Sequence, residues 1–219
     1  MINASALDNG LHAGDLKFVD LDGNNKIEQT TSANDRKDMK VIGNSLPRYN
    51  YNFGISADWY GIDFSVLFQG IGKQNWYPGA ETSMFWGPYS RPYASFIPSD
   101  FMSQVWSEEN TDAYFPRPRG YVALGSNREL AVVNTKYLQN LAYCRLKNLS
   151  IGYTLPDKWL SKIGFEKIRV YFSGENLLTF TKLHSDYIDP EQASASNSWK
   201  TSKSDANIYP WAKTYSFGV

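Results

Sequence analysis

Residues 49–59 read YNYNFGISADW, and the apolar side chains recur at every second position. Tyr49, Tyr51, Phe53, Ile55, Ala57 and Trp59 fall on one face, and Asn50, Asn52, Gly54, Ser56 and Asp58 on the other. A period of two belongs to a strand and not to a helix, so this stretch can fold only as a β-strand with one apolar and one polar face. After Tyr60–Gly61, a pair suited to a tight turn, IDFSVLFQG resumes the alternation. Ile62, Phe64, Val66 and Phe68 stand against Asp63, Ser65 and Gln69, so the two runs read as a hairpin.

The pattern returns three times. Leu149, Ile151, Tyr153 and Leu155 alternate with Asn148, Ser150, Gly152 and Thr154. Upstream in that run, Arg145 and Lys147 share the parity of Leu149, which predicts a β-bulge or an exit from an apolar environment. Ile168, Val170, Phe172, Leu178 and Phe180 alternate with Arg169, Tyr171, Ser173, Glu175, Thr179 and Thr181. Tyr215, Phe217 and Val219 alternate with Thr214, Ser216 and Gly218. The connection PDKWLSKIGF is short and reads as one helical turn begun by Pro156. Two others, about 71–140 and 184–209, are long and rich in Pro, Gly, Ser, Asn and aromatics. Within the first, SDFMSQVW reads as a helix with Ser99 as its N-cap. No internal repeat of fixed period is visible.

Antiparallel strands joined alternately by short and long connections carry all the short turns at one end and all the long loops at the other. The expectation is an all-β fold: about five strands of an antiparallel, up-and-down transmembrane β-barrel with long extracellular loops. Aromatics near strand ends (Tyr49, Trp59, Tyr60, Tyr153, Trp211) fit interfacial girdles. A soluble sandwich alternates for the same reason. The rival reading is therefore a secreted, aromatic-rich carbohydrate-binding β-sandwich.

Composition narrows the classes. Of 219 residues, 22 are basic and 22 acidic, so the electrostatic footprint of a nucleic-acid binder is missing. Cys144 is the only cysteine, which rules out a disulfide framework and reads as a small buried hydrophobe. His12 and His184 are far apart, so a Ser-His-Asp, Cys-His or histidine metal site has no support. No segment approaches the ~20 apolar residues of a membrane helix, and MINASALDNG has neither the basic start nor the apolar run of a signal peptide.

Several stretches, in order, resemble SusC/RagA-type TonB-linked outer-membrane transporters of Bacteroidota. They are GDLKFVDLDGNNKIE, DRKDMKVIGNSLPRYNYNFGISADWYGIDFSVLFQGIG, YFPRP, YLQNLAYCRLKNLSIGYTLP, KIRVYFSGENLLTFTK, DPE at Asp189–Glu191, and YPWAKTYSFGV. The resemblance spans nearly all of residues 1–219. It implies the C-terminal part of a barrel of about 22 strands, with the N-terminal plug and TonB box absent and the last strand cut short. Five strands cannot close, and an open edge in lipid leaves backbone groups unpaired. The expectation is a fragment, or a chain completed by other segments. The implied function is TonB-dependent import of glycan oligosaccharides or peptides across the cell outer membrane. A SusD-like lipoprotein closes the mouth, TonB acts through N-terminal parts, and the barrel faces outer-membrane lipid. No catalysis and no required cofactor are implied.

Candidate sites follow. The loop NWYPGAETSMFWGPYSRPYASF carries Trp76, Tyr77, Phe85, Trp86, Tyr89, Tyr93 and Phe96. Such rings stack on sugars, anchor interfaces, or pack together so that a long loop keeps its shape. Packing is expected for most of them; Trp76, Trp86 and Tyr89 are the candidates for ligand or partner contact. Glu108–Glu109 and Asp186/Asp189 are paired carboxylates, but loop spacing does not set the flanking geometry a glycosidase needs, so solvated charge is expected. Arg169 and Glu175 would pair with the plug or line a hydrated path. In DLDGNNKIE, Asp20, Asp22, Asn24, the Lys26 carbonyl and Glu28 match the first ligands of a calcium loop, with Asn25 at the turn position. Thr31 stands at position twelve and cannot serve as the bidentate carboxylate. Asp35, beyond an insertion around QTTSA, is the candidate to close the set. DLKFV before it looks strand-like, so an EF-hand is not expected. A structural Ca²⁺ site and a metal-free Asx-turn cluster both remain open.

Overall fold

The structure, a computed structural model, describes residues 12–30, 32, 34–90, 97–125, 128–162, 164–196, 203–204 and 209–219. It divides into two compact units. The first to be described comprises Ser45–Asn75, Gln139–Ala195 and Ile208–Val219. Its strands are β1 (Arg48–Trp59), β2 (Ile62–Lys73), β3 (Tyr143–Thr154), β4 (Arg169–Thr181) and β5 (Thr214–Gly218). They form one sheet in chain order, with every neighbouring pair antiparallel. The β1–β2 turn places Tyr60 at φ 46° and Gly61 at φ 84°, the paired left-handed conformation that matches the twist of a two-residue hairpin.

The register converts the sequence alternation into two continuous faces. Ala57, Phe64, Ile151, Phe172 and Phe217 form one row, and Trp59, Ile62, Tyr153 and Val170 another. On the opposite face, Ser56, Ser65, Ser150, Ser173 and Ser216 stand in a single row, one serine per strand. The apolar face is exposed: Ile55 is 62% accessible, Phe180 61% and Phe217 80%. A sandwich would bury this face against a second sheet. An apolar face open across five strands is what lipid covers.

At Lys147 the ladder breaks. Opposite β2 the register jumps from Leu67↔Asn148 to Phe68↔Leu146, and opposite β4 from Asn148↔Glu175 to Leu146↔Leu178. Lys147 is the extra residue relative to β2, and the facing strand holds Asn176 at φ 54°. The bulge reverses the parity, so Arg145 returns to the polar face and Leu146 joins the apolar one, as the broken pattern required. The short β3–β4 connection forms one helical turn, Asp157–Leu160, after Pro156.

The second unit comprises Met1–Asn44, Trp76–Leu138 and Ser196–Asn207. It explains how a connection of this length holds its shape: it has its own core. Trp76, Tyr77, Phe85, Trp86, Tyr89, Phe101, Phe115, Leu130 and Tyr137 are each at most 3% accessible. Phe115 is central, with rings of Phe85, Phe101, Tyr114 and Tyr137 within 6 Å of its own. Two local expectations are corrected. SDFMSQVW holds only a 3₁₀ turn, Phe101–Gln104, preceded by Asp100 without a side-chain cap, so Ser99 caps nothing. Leu16–Val19 is not a strand. Both runs are short, and packing of the loop overrides their local pattern.

Candidate functional site

In the sheet unit, the first half of β3 carries two cations at the bulge, Arg145 and Lys147. The Arg145 guanidinium donates to Asp189 Oδ2 at 2.7 Å, to Glu191 Oε2 at 2.8 Å and, through Nε, to Thr179 Oγ1 at 2.9 Å. Lys147 Nζ lies 3.0 Å from both Glu191 oxygens and 5.1 Å from the centre of the Trp211 ring. Asp189 Oδ2 also accepts the Trp211 N–H, while Oδ1 accepts the N–H groups of Glu191 and Gln192. Asp189 therefore caps the helix Pro190–Ser196, with proline at the first helical position. The side chains of Arg145 and Asp189 are 3% and 5% accessible. Two cations and two anions balance in a nearly dry site, and every lone pair in use is held by a directed donor. Asp189 was expected to be solvated; it is instead the hub that ties the segment after β4, and Trp211 before β5, onto the wall. The Asp189 carboxylate is thus held by a guanidinium and three backbone N–H donors.

A second pair crosses the same face at the short-turn end. Arg169 on β4 donates to Asp63 on β2 from two guanidinium nitrogens, Nε to Oδ1 at 2.8 Å and Nη2 to Oδ2 at 2.5 Å. The bridge spans β3 directly over Gly152, where a Cβ would collide with Arg169 Nη2 and Asp63 Oδ1. Glycine is required by this close approach. Arg169 thus has an ion-pair partner within the sheet.

In the loop unit, DLDGNNKIE folds into a compact acidic turn. Asp20 accepts the N–H of Gly23 at 2.6 Å and of Asn25 at 2.7 Å. Asp22 accepts from Asn24 N–H and Nδ2, both at 3.0 Å; Asn24 Oδ1 accepts Lys26 N–H and Asn24 Nδ2 also reaches Glu28. Gly23 and Asn25 hold φ of 76° and 62°, the left-handed conformations that let consecutive N–H groups converge. The carboxylates of Asp20, Asp22 and Asp38 lie within 4.8 Å of one another. Asp38, which the sequence reading missed, accepts Leu21 N–H at 2.6 Å and Glu28 N–H at 2.7 Å and so closes the turn. Asp35 lies 3.3 Å from Lys37 Nζ, outside that cluster. Lys37 also reaches Glu28, and the two carboxylates hold its ammonium above the usual lysine range. Dehydration of the Asp20 carboxylate, the largest single influence, pushes its pKa up, but the N–H groups of Asn25 and Gly23, with smaller help from Asp22 and Asn24, outweigh it and the net shift is downward. The oxygens that would ligate Ca²⁺ are Asp20, Asp22 and Asp38, with Asn24, Lys26 and Glu28 in the same turn. Thr31 lies outside the described residues.

The aromatic candidates are corrected. Trp76 and Trp86 are 0% accessible and Tyr89 1%, so they offer no face to a ligand. Their polar atoms are turned inward: Trp86 Nε1 donates to the Pro78 carbonyl at 3.3 Å and the Tyr89 hydroxyl to the Pro116 carbonyl at 2.5 Å. Burial raises the Tyr77, Tyr89 and Tyr137 hydroxyls well above the ordinary phenol range. Tyr93 and Phe96 lie outside the described residues. The same unit does hold a cavity of about 1060 Å³, walled by Phe18, Ile27, Met39, Leu124 and Val132, with Lys40 among its polar lining.

The two-faced sheet, its exposed apolar side and the loop pinned against its polar side define the class: adjacent strands of a transmembrane β-barrel. No family model matches the chain. It is 31% identical over 208 residues to TonB-dependent receptor P3 of Formosa agariphila, covering 92% of this chain and 18% of that protein. TonB-dependent receptor P26 of the same organism is 27% identical over 192 residues. The solved RagAB peptide importer in its closed-closed state superposes with a TM-score of 0.55 at 25% identity, over 90% of this chain and 19% of that one. The chain belongs to the SusC/RagA type of TonB-dependent receptors and spans less than a fifth of the length of the relatives it matches.

Proposed function

We propose that the chain forms part of the wall and outer loops of a TonB-linked outer-membrane importer of nutrients, either glycan oligosaccharides or peptides. The observation that carries this reading is the split of one five-stranded sheet into an exposed apolar face and a polar face that holds a docked loop. The names of the relatives, a set of TonB-dependent receptors and a peptide importer, support it. In this reading the apolar rows face outer-membrane lipid and the polar face lines the barrel interior. The long connections, about 71–140 and 184–209, would face outside and meet substrate and a SusD-like lipoprotein. TonB acts through other parts of the receptor, and the chain performs no bond-breaking chemistry. The acidic turn is a fastening of that loop unit, held by N–H donors with no Ca²⁺ required.

The test uses the complete receptor. Expressed in its host, it should fractionate with the outer membrane, migrate faster in SDS unheated than heated, and support uptake that stops when TonB is inactivated. A soluble product without heat-modifiable mobility would contradict the reading and favour the secreted sandwich module.

A further inference from the structure

Five cations stand on the strands of the sheet, and three are neutralised: Arg145 and Lys147 by Asp189 and Glu191, and Arg169 by Asp63. The other two, Arg48 and Lys73, face one another in the register of β1 and β2. Both are exposed, and among the described residues neither forms an ion pair. They continue the polar face beyond Asn50–Ile71 and Asn52–Gln69, at the end where the long connection leaves β2. Like charges directly opposed across an antiparallel pair repel. The backbone beside them is also strained: Tyr49, an aromatic residue, holds φ 59°. It is accommodated because Gly72 opposite has no side chain, a Cβ there lying 3.1 Å from that of Tyr49. Two locally unfavourable features at one spot, on a sheet whose other strand cations are each paired with a carboxylate, point to a functional position.

We propose that Arg48 and Lys73 form a two-cation site for the carboxylate groups of the transported substrate at the outer end of the barrel interior. The inference rests on the importer reading and adds a substrate chemistry to it. Arginine supplies a planar fork for one carboxylate, and lysine a compact charge beside it. A strand added along the free edge of β1 would flank Arg48 but stand a full strand spacing farther from Lys73, so one carboxylate on it would not neutralise both.

The experiment compares the complete receptor in nanodiscs with an Arg48→Gln/Lys73→Gln variant. The probes are tetraglutamate and tetragalacturonate, each with a neutral counterpart, at low salt and at high salt. The expected result is binding of at least one acidic probe that salt weakens, lost by about tenfold or more in the variant, with the neutral probes unchanged. The arm that responds identifies a peptide or a saccharide as the carrier of the carboxylate. Equal affinities in wild type and variant would overturn the proposal. So would a variant whose only change is weaker association with lipopolysaccharide vesicles, or lower heat resistance of the barrel without altered binding. Failure of the importer reading itself looks different: no TonB-dependent uptake in the wild type.

Discussion

Asp38 shows how much one side chain can organise. It spans Leu21 and Glu28 with its two oxygens, whereas Asp35, nearer in sequence to the expected closing position, only pairs with Lys37. Asp38→Ala should therefore raise hydrogen exchange at the Leu21 and Glu28 amides by about tenfold, the scale of a lost charge-assisted bond, and Asp35→Ala should not. Calcium chelation should leave those amides as protected as before. The acidity of Asp20 sets the pH range. Its folded pKa is depressed, so its stabilising effect is complete above the unfolded carboxylate pKa of about 3.9 and is lost as pH falls through the lower, folded value. Protection at Gly23 and Asn25 should stay level down to that unfolded pKa and fall only in stronger acid. An Asp20→Asn variant should lose that acid transition. The sequence revealed the turn's left-handed positions, because Asn25 and Gly23 announce them. It did not reveal Asp38, because a carboxylate ten residues beyond Glu28 reaches back only once the loop has folded.

At the level of strands and loops, the alternation was readable from residues 49–59 of β1, and the bulge from the misplaced Arg145 and Lys147. What those cations bind was not readable, since Asp189 and Glu191 lie more than forty residues away. Arg145→Ala leaves two carboxylates in a nearly dry site without their main partner, a change that costs roughly 3–5 kcal/mol. Limited proteolysis should then cut within 183–196 at protease levels that spare the wild type. Arg145→Lys should rescue only partly, because an ammonium cannot fork between Asp189, Glu191 and Thr179. Gly152→Val tests the other crossing: it should break the Asp63–Arg169 bridge and slow barrel assembly. The aromatic loop was the least readable element. Packing was expected for most of its rings, but which of them form the core was not legible, and only the folded structure shows that Trp76, Trp86 and Tyr89 do. Trp86→Ala should destabilise the loop unit by roughly 3–5 kcal/mol without touching the sheet's own ladder.

For the molecule as a whole, the fold explains the family and the family completes the fold. Within the described residues the sheet has two unpaired edges, on β1 and β5; in lipid such edges must be paired by other strands of the same barrel. The serine row across all five strands puts small polar side chains on one face, while the rows that carry phenylalanine and isoleucine supply the apolar band on the other. Everything proposed about transport depends on that division between the faces. It can be measured by single-cysteine labelling along β4 of the complete receptor in native membranes, with Cys144 replaced by alanine. Val170, Phe172, Leu178 and Phe180 should give spin labels relaxed by oxygen and shielded from a water-soluble nickel reagent. Tyr171, Ser173, Glu175 and Thr179 should show the reverse, or shielding from both where the interior is filled. Water-soluble access on the Val170–Phe180 face, or no alternation at all, would contradict the account.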